Sequence, residues 1–320
     1  MKILLFDKAA CGKDVDYSSL EAFGEIIDLG VVKTEERMLE IAADPRYADA
    51  EILLCNKAPV TASVMAAYKN LRYIGVFATG YNNIDIPEAK KRSITVCNVP
   101  GYSTDAVAQT VFALILQIAS CTDAYTRDTR EGKWVNYPIF SMLTHESVEL
   151  RGKTLGILGY GAIGKKVAQI GDAFGMRVIV CTRTERPDCP FPYVDKDALL
   201  TESDYLSLNA PLNAGTENFI NTESIAKMKT GAVLINTARG GLVDEQALAD
   251  ALQSGKLKAA GLDVLRSEPM APDCPLLGLE NCHITPHVAW AAKETRQRLI
   301  YIVADNLRAY LGGSPQNVVC

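Results

Sequence analysis

The sequence predicts an α/β protein built from two doubly wound parallel sheets. Short β-branched or apolar runs alternate with longer helical patterns along all 320 residues, which is typical of parallel strands joined by crossover helices. With 48 % hydrophobic residues, a chain of this length can bury more than one core, so we expect two domains rather than one.

The predicted strands form two series. The first series has helical patterns such as 61–69 between its strands, which are Lys2–Phe6, Glu51–Cys55, Leu71–Phe77 and Ile94–Asn98. The second series contains six strands, which are Thr154–Leu158, Arg177–Cys181, Tyr205–Leu208, Ala232–Asn236, Ala259–Asp263 and His283–Thr285. Six strands with helices between them suit a dinucleotide-binding fold.

Two further helical stretches set the expected domain boundaries. Apolar residues recur at helical spacing from Ser103 to about Arg130, which predicts one long helix. The stretch Lys293–Leu311 reads as a final amphipathic helix that returns to the first domain. We therefore expect a discontinuous first domain, 1–100 with 291–320, and a second domain over 101–290.

Composition and charge exclude several classes of protein. Lys and Arg total 33 against 38 Asp and Glu, so the charge of −5 disfavours a nucleic-acid partner. The nine scattered cysteines include no Cys-x-x-Cys pair and fit reduced thiols in a cytoplasm. The apolar run Val111–Ala119 is far shorter than the roughly 20 residues of a membrane span. The sequence predicts a cytoplasmic protein without membrane insertion and without a metal site.

A glycine-rich turn stands between a predicted strand and a predicted helix. The residues Gly159, Tyr160, Gly161, Ala162, Ile163 and Gly164 match the pattern G-x-G-x-x-G. The first glycine allows the tight turn, the second lets the backbone approach a pyrophosphate, and the third lets the helix pack on the strand. This context predicts a dinucleotide cofactor, whereas a glycine turn without a ligand is the alternative.

The end of the next strand bears on which dinucleotide binds. An acidic residue there normally accepts the ribose 2′-hydroxyl of NAD, but this strand is followed by Thr182, Arg183 and Thr184. An arginine flanked by hydroxyls tolerates a 2′-phosphate, which favours NADPH. The alternative is that Arg183 is solvated or stacks on the adenine while Glu185 supplies the acid, so NAD stays open.

Only three histidines are available as a proton donor near neutral pH. His283 falls inside an apolar strand, where a structural role is expected, and His145 lies in a polar linker. His287 follows Thr285-Pro286 at the carboxyl end of a predicted strand. Ligands bind at this edge of parallel sheets, so His287 is the predicted acid/base group.

Two complementary charges are expected at the same sheet edge. Glu268 comes shortly after the strand that ends at Asp263, and its carboxylate could orient the imidazole. Arg239 follows the strand that ends at Asn236, and its guanidinium can hold a substrate carboxylate. A helix-entry charge and a surface salt bridge are the alternatives for the two residues.

With these residues in place, the sequence resembles the D-isomer-specific 2-hydroxyacid dehydrogenase family across essentially its whole length. The matching segments are Ala78–Asp85, Gly159–Gly164, Asn236–Gly240, Gly261–Val264, Glu268–Pro269 and Thr285–His287. The resemblance implies a flavodoxin-like substrate domain, a Rossmann NAD(P)-binding domain, and a homodimer joined partly through the region after Ser103.

The resemblance also implies roles for individual residues. Arg239, Glu268 and His287 would be catalytic, with the histidine acting as acid in reduction and as base in oxidation. Asp263 would contact the nicotinamide carboxamide, and backbone amides around Thr79 and Gly80 would bind the substrate carboxylate. Further expected cofactor contacts are Thr104, Asn209, Ala210, Pro211, Thr237 and Ala238.

Two weaker substrate-binding candidates remain open. Lys57, beside Asn56 at a strand end of the first domain, is a candidate for a positive contact with the substrate, and an ordinary solvated lysine is the alternative. Trp290 could cap the substrate or could serve as a packing residue between the domains.

The segments 78–85 and 287–290 most resemble glycerate dehydrogenases, also called hydroxypyruvate reductases, which reduce hydroxypyruvate and glyoxylate to D-glycerate and glycolate. Another 2-hydroxyacid dehydrogenase, of the 3-phosphoglycerate or lactate type, is the enzymatic alternative. A non-catalytic NAD(H)-sensing protein on the same fold, as in the C-terminal-binding corepressors, is the alternative from another class.

Overall fold

The computed structural model describes all 320 residues, which fold into two compact units. The first unit comprises Met1–Ser103 together with Ala291–Cys320, and the second comprises Thr104–Trp290. Each unit contains one parallel sheet with crossover helices between its strands. The expected α/β class with two doubly wound sheets is therefore confirmed.

The first unit has a five-stranded sheet in the order β2-β1-β3-β4-β5. Its strands are β1 Lys2–Leu5, β2 Glu25–Asp28, β3 Ile52–Cys55, β4 Tyr73–Val76 and β5 Thr95–Cys97. The helices between them are α1 Ser18–Glu21, α2 Glu35–Ala43, α3 Ala62–Ala67 and α4 Ile86–Lys91. This strand order is the flavodoxin-like one, in which ligands bind where the order reverses, between β1 and β3.

Strand β2 is absent from the four strands that the sequence analysis identified in this region. It lies at an edge of the sheet and pairs only with β1. Its two ends, Glu25 and Asp28, are exposed, and only Ile26 and Ile27 between them are apolar. A run of two apolar residues gives no periodicity to detect, because an edge strand buries little of its surface.

The second unit has a six-stranded sheet in the order β11-β10-β9-β8-β6-β7. Its strands are β6 Thr154–Leu158, β7 Arg177–Cys181, β8 Tyr205–Leu208, β9 Ala232–Asn236, β10 Leu257–Leu262 and β11 Cys282–Ile284. Its helices are α5 Thr104–Ser120, α6 Thr122–Arg130, α7 Ala162–Ala173, α8 Lys196–Glu202, α9 Thr222–Lys227 and α10 Glu245–Gln253.

A single parallel bridge between Val180 and Tyr193 adds a rudimentary strand outside β7. With this bridge, β6, β7 and the segment at Tyr193 lie in chain order toward one edge of the sheet, and β8 then pairs with the other side of β6. That is the strand arrangement of a Rossmann dinucleotide-binding domain. The order reverses between β6 and β8, which are neighbours in the sheet, so a ligand is expected at the carboxyl ends of these two strands.

Apolar side chains cover both faces of this sheet. Leu158 and Leu208 belong to a core that includes Leu199 of α8 and Leu248 of α10. The alternate residues of the same strands belong to a second core with α5 and α7, and they include Leu155, Ile157 and Tyr205. Because both faces are buried, the strands read as continuous apolar runs, which is why their bounds were predictable.

The expected single helix from Ser103 to Arg130 is wrong, because the chain breaks at Cys121. Cys121 is left-handed, with φ 52°, although no glycine or proline is nearby. The returning chain causes the break, since Val148 N–H donates to the Ala119 carbonyl at 2.7 Å and the Ser147 hydroxyl donates to the Ser120 carbonyl at 3.4 Å. These bonds take the carbonyls that would have continued the helix.

No single helix has both the length and the apolar character to cross a membrane. Helices α5 and α6 meet the length and composition criteria only when they are taken together, and they are bent by 61°. Nine residues of α5 are buried in the second unit.

The last helix, α11, spans Lys293–Leu311 and belongs to the first unit, so its predicted bounds are confirmed. Its apolar face includes Leu299, Val303 and Leu307, all buried, and the helix packs against α1 and β4. Both the first and the last segments of the chain are therefore needed to complete the first unit.

Candidate active site

Three predicted side chains lie at the carboxyl ends of adjacent strands in the second unit. Arg239 follows β9, Glu268 follows β10 and His287 follows β11, and these strands are neighbours in the sheet. Parallel strands end at one edge, so all three residues belong to the same side of the sheet. Residues that are far apart in the sequence are therefore brought to neighbouring strand ends.

Glu268 and His287 are in direct contact. Glu268 Oε2 lies 2.6 Å from His287 Nδ1, and Glu268 Oε1 accepts a hydrogen bond from the Leu265 N–H at 3.0 Å. About a third of each side chain is exposed. The pair therefore fixes the imidazole through Nδ1 and leaves Nε2 without a protein partner at the sheet edge.

The backbone of His287 is in the left-handed region, with φ 56°, which a non-glycine residue adopts only when its surroundings require it. Two bonds hold it there, because the His287 N–H donates to the carbonyls of Asp263 and Thr285, both at 2.9 Å. The Trp290 indole donates to the His287 carbonyl at 3.0 Å. The histidine is thus held by main-chain contacts as well as by Glu268.

Asp263 is 1 % exposed and holds the loop that carries His287. Its Oδ1 accepts from the Thr285 hydroxyl at 2.6 Å and from Val288 N–H at 2.9 Å, and its Oδ2 accepts from Ala289 N–H at 2.8 Å. A carboxylate offers about four acceptor positions. Three are used here, so one position is left for an outside donor.

Arg239 is presented by a tightly built turn. Buried Asn236 closes the turn, because its Nδ2 donates to the Arg239 carbonyl at 2.9 Å and its Oδ1 accepts from Ala238 N–H at 3.0 Å. A Cβ on Gly240 would lie 1.9 Å from the carbonyl carbon of Leu265, so only glycine lets this turn pack against the chain leading to Glu268. Asn236 and Gly240 thus hold Arg239 in position, a role that the sequence motif alone did not reveal.

The Arg239 guanidinium itself is exposed and has one internal bond, from Nη1 to the Ala238 carbonyl at 2.7 Å. Thr237 and Ala238, which precede it, are half-buried. The remaining N–H donors of the fork are therefore available to an anionic ligand.

The glycine turn fits a dinucleotide pyrophosphate. A Cβ on Gly159, whose φ is +88°, would lie 2.8 Å from the Asn209 carbonyl oxygen, and a Cβ on Gly164 would lie 2.0 Å from the Gly159 oxygen. A Cβ on Gly161 would meet nothing within 4 Å. The first and third glycines are thus required by packing, whereas space is left open at the second.

The groups around this turn point to the same ligand. Helix α7 starts at Ala162 and Ile163 without a side-chain cap, so its first N–H groups remain free for an anion. At the end of β8, the buried Oδ1 of Asn209 has no hydrogen-bond partner. Buried Ala210 and exposed Pro211 follow it. An unsatisfied buried acceptor beside an open glycine turn is what a bound cofactor would complete.

Replacing Gly161 tests this interpretation. We expect Gly161→Val to leave the thermal unfolding midpoint within about 2 °C of wild type, because the site is open and φ is −80°. The same change should weaken nicotinamide-dinucleotide binding at least about tenfold, because the new side chain occupies the space of the pyrophosphate. Calorimetric titration checks the binding, and unchanged affinity would contradict the assignment.

The end of β7 carries the other predicted cofactor residues. The strand ends at Cys181, so Thr182, Arg183 and Thr184 follow directly. Thr182 is half-buried, whereas Arg183 and Thr184 are exposed, and Arg183 makes no hydrogen bond or ion pair within the protein. The first carboxylate after the strand belongs to Glu185, four residues past its end. Thr104, the remaining predicted cofactor residue, is the half-buried first residue of α5.

In the first unit, the sheet edge at the switch between β1 and β3 is organised by a residue that sequence reasoning missed. Asp7, 2 % exposed, lies two residues past the end of β1 in the left-handed conformation. Its Oδ2 accepts from the N–H groups of Lys57 and Ala58, both at 2.7 Å. Exposed Lys57 has no side-chain partner in the structure. The position of Asp7 shortly after the first strand was the signal in the sequence that could have identified it.

Thr79 and Gly80 follow β4 at the same edge of that sheet. The Thr79 hydroxyl donates to the Val99 carbonyl at 2.9 Å, and Asn98 Nδ2 donates to the Thr79 carbonyl at 2.7 Å. These bonds fix the turn but use neither the Thr79 nor the Gly80 N–H group. Both amides are therefore available to a ligand.

The other two histidines have partners elsewhere in the second unit. His145 Nε2 lies 2.7 Å from Asp128 Oδ2, and His283 Nδ1 lies 3.0 Å from Gln117 Nε2. Neither lies at the sheet edge that carries Arg239 and Glu268. His287 is the one histidine that the structure brings to that edge.

Comparison with known proteins identifies the family. Residues 112–289 match the family model for the D-isomer-specific 2-hydroxyacid dehydrogenase NAD-binding domain. The chain belongs to this family. The matched range lies within the second unit, which carries the glycine turn and the residues Arg239, Glu268 and His287. The resemblance carried by the six sequence segments is thus confirmed.

Relatives in the 2-hydroxyacid dehydrogenase family match over most or all of the chain. A hydroxypyruvate reductase of Blautia hydrogenotrophica is 42 % identical over 325 residues, covering 100 % of this chain and 99 % of that protein. A glycerate dehydrogenase of Methylorubrum extorquens is 40 % identical over 279 residues, covering 86 % and 87 %.

A solved structure of similar fold is that of an NADPH-dependent glyoxylate/hydroxypyruvate reductase from Sinorhizobium meliloti, in complex with NADP and malonate. It has a TM-score of 0.84 and 30 % identity, and the match covers 100 % of this chain and 96 % of that one. The chain is thus an NAD(P)-dependent oxidoreductase of the 2-hydroxyacid dehydrogenase class.

Proposed function

We propose that this protein reduces hydroxypyruvate to D-glycerate, and glyoxylate to glycolate, with NADPH as the preferred reductant. The observation that carries the chemistry is the 2.6 Å contact between Glu268 and His287 Nδ1, which leaves Nε2 free at the sheet edge. The names of these two relatives support the substrate class.

His287 acts as the general acid in this reaction. Its Nε2 gives a proton to the carbonyl oxygen of the keto acid, and Glu268, in contact with Nδ1, sets the ring orientation. The nicotinamide supplies the hydride. In the reverse direction, the neutral imidazole removes the hydroxyl proton from the hydroxy acid.

Arg239 is assigned to the substrate carboxylate and to the carbonyl oxygen. Its exposed fork has one internal bond, so its remaining donors can stabilise negative charge that develops during reduction. Asp263 keeps the His287 loop in place and retains one acceptor position for the nicotinamide carboxamide. Trp290, bonded to the His287 carbonyl, is assigned a place beside the substrate.

The first unit is proposed as the substrate domain, and 2-keto acids are expected to use its carboxyl-edge groups. The unused N–H groups of Thr79 and Gly80 can bind a carboxylate, as can the unpaired ammonium of Lys57. The second unit is proposed as the cofactor domain. Its contacts with the dinucleotide are assigned to the glycine turn, Thr104, the residues after β7 and β8, Thr237, Ala238 and Asp263.

The preference for NADPH rests on the end of β7. No carboxylate follows the strand directly, and the exposed Arg183 is unpaired between two threonines. A carboxylate at this position would repel a 2′-phosphate, whereas a guanidinium flanked by hydroxyls attracts it. The NADP complex of the Sinorhizobium relative supports this preference.

We further propose that the enzyme is a homodimer. The segment after α6 exposes five large apolar side chains, with Phe140 89 % exposed, and they are Trp134, Val135, Ile139, Phe140 and Leu143. Exposed large apolar side chains that lie this close together in the sequence are typical of an interaction site. Sedimentation analysis tests the proposal.

We propose a cytoplasmic location because the cysteines form no disulfide bonds in the structure. All nine are unpaired in the structure, and they do not form an obvious disulfide framework.

The substrate and cofactor assignments are tested by one set of assays. Purified protein is given hydroxypyruvate, glyoxylate, pyruvate or 3-phosphohydroxypyruvate, each with NADH and with NADPH, and loss of the reduced nicotinamide is followed. We expect the highest kcat/KM with hydroxypyruvate and NADPH. A higher value with pyruvate or the phosphorylated acid would overturn the substrate proposal, and a higher value with NADH would overturn the cofactor proposal.

A further inference from the structure

Residues 182–193, in the loop between β7 and α8, follow the proposed 2′-phosphate position and are held by internal contacts. The loop leaves β7 after Cys181 and returns where Tyr193 bridges to Val180. The Tyr193 hydroxyl accepts from the Arg186 N–H at 2.7 Å and donates to the Arg186 carbonyl at 3.1 Å. These bonds close the loop on itself, and the loop carries the charged residues Arg183, Glu185, Arg186 and Asp188.

One of these charges is paired with a lysine of the dinucleotide-binding helix. Asp188 Oδ2 lies 2.5 Å from Lys165 Nζ, and the Lys165 ammonium holds the pKa of Asp188 below its usual range. Lys165 is the fourth residue of α7 and directly follows the last glycine of the turn. The side chain therefore extends from the first turn of α7 to the β7–α8 loop.

We infer that Lys165 is a specificity-determining residue for the 2′-phosphate of NADPH, which it binds in exchange for Asp188. The inference rests on the proposed use of NADPH. The α7 N-terminus and the glycine turn are the pyrophosphate site, and the end of β7 is the ribose site. Through its contact with Asp188, Lys165 joins the helix that begins at the first site to the loop that follows the second.

Charge balance favours this exchange. A 2′-phosphate carries between one and two negative charges near neutral pH, and Arg183 alone does not neutralise it. Lys165 supplies the second cation. Its pair with Asp188 is partly exposed, with 39 % of the Lys165 and 59 % of the Asp188 side chain accessible, and exposed pairs of this kind are weak. A phosphate can displace the carboxylate, which then turns to solvent.

The next residue provides a matched control. Lys166 has the same charge and lies on the same turn of α7, but it pairs with Asp105 of α5 at 2.9 Å. Its ammonium is therefore held toward α5 rather than toward the β7–α8 loop. Lys166→Gln removes the same net charge from the helix without touching the Lys165–Asp188 pair.

The test uses binding of 2′,5′-ADP and 5′-AMP to the full chain, measured by titration calorimetry without turnover. These two probes differ in the 2′-phosphate. We expect Lys165→Gln to weaken the binding of 2′,5′-ADP about tenfold, the order of one charge-assisted contact. The affinity for 5′-AMP should be unchanged. Lys166→Gln should change neither by more than about twofold.

Asp188→Asn separates binding from loop structure, because it breaks the same ion pair but keeps Lys165. If the ion pair only stabilises the loop, both Lys165→Gln and Asp188→Asn weaken the binding of 2′,5′-ADP, and the inference is overturned. If Lys165 binds the phosphate, the two substitutions have opposite effects on affinity, and Asp188→Asn binds 2′,5′-ADP about twofold more tightly because a competing carboxylate is gone.

Two further outcomes are distinguishable. If Lys165→Gln weakens the binding of 2′,5′-ADP and of 5′-AMP equally, the role of Lys165 is overturned, whereas the NADPH preference of the wild type stands. Wild-type protein that binds 5′-AMP as tightly as 2′,5′-ADP overturns the NADPH proposal and the Lys165 inference together.

Discussion

His287→Asn is expected to lower kcat for hydroxypyruvate reduction by about 10³ to 10⁴, the upper range for loss of a general acid. The substitution removes the Nε2 proton donor, and asparagine tolerates the left-handed backbone found at this position, with φ 56°. We therefore expect a folded protein that still binds NADPH with wild-type affinity. Steady-state assays and calorimetry measure the two effects separately.

His145→Asn is the matched control, because His145 is also paired with a carboxylate, that of Asp128 at 2.7 Å, but lies away from Arg239 and Glu268. It should leave kcat within about twofold of wild type. A His287→Asn enzyme that retains more than a tenth of wild-type kcat would show that another group donates the proton.

Arg239→Gln should reduce kcat/KM for hydroxypyruvate about 10³-fold, since it removes the cation assigned to the substrate carboxylate and the developing oxyanion. Arg239→Lys should restore only a small part of this loss, because an ammonium cannot reproduce the planar fork. The protein should still fold, because the exposed guanidinium makes one hydrogen bond, to the Ala238 carbonyl.

Measured thermal midpoints and NADPH affinities accompany these assays. If Arg239→Gln raises the KM for NADPH as much as that for hydroxypyruvate, Arg239 supports the cofactor and not the keto acid. If Arg239→Lys has nearly full activity, a simple positive charge is sufficient and the planar guanidinium is not required.

The sequence was sufficient to predict elements whose pattern is produced by burial. Strands β6 and β9 are buried at every position, so their apolar runs gave their bounds. The interruption at Cys121 was not predictable in this way, because hydrogen bonds from residues 147 and 148 cause it and no local residue signals it. Edge strand β2 was missed for the related reason that its exposed ends carry no pattern.

The candidate site was predicted to a similar extent. Position at strand ends identified Glu268 and His287, and the structure places them in contact. The sequence could not show that the Asp263 carboxylate holds the His287 loop, because its donors lie 22 to 26 residues away. Asp7 and the Lys165–Asp188 pair escaped notice because their partners come from distant segments.

The central claim is that this family member is a working keto acid reductase. The most direct measurement is to incubate the wild-type enzyme with hydroxypyruvate and NADPH and to determine both the rate and the configuration of the product by chiral chromatography. We expect rapid oxidation of NADPH and formation of D-glycerate in equal amount. Tight nicotinamide binding without turnover of hydroxypyruvate, or formation of L-glycerate, would contradict the account.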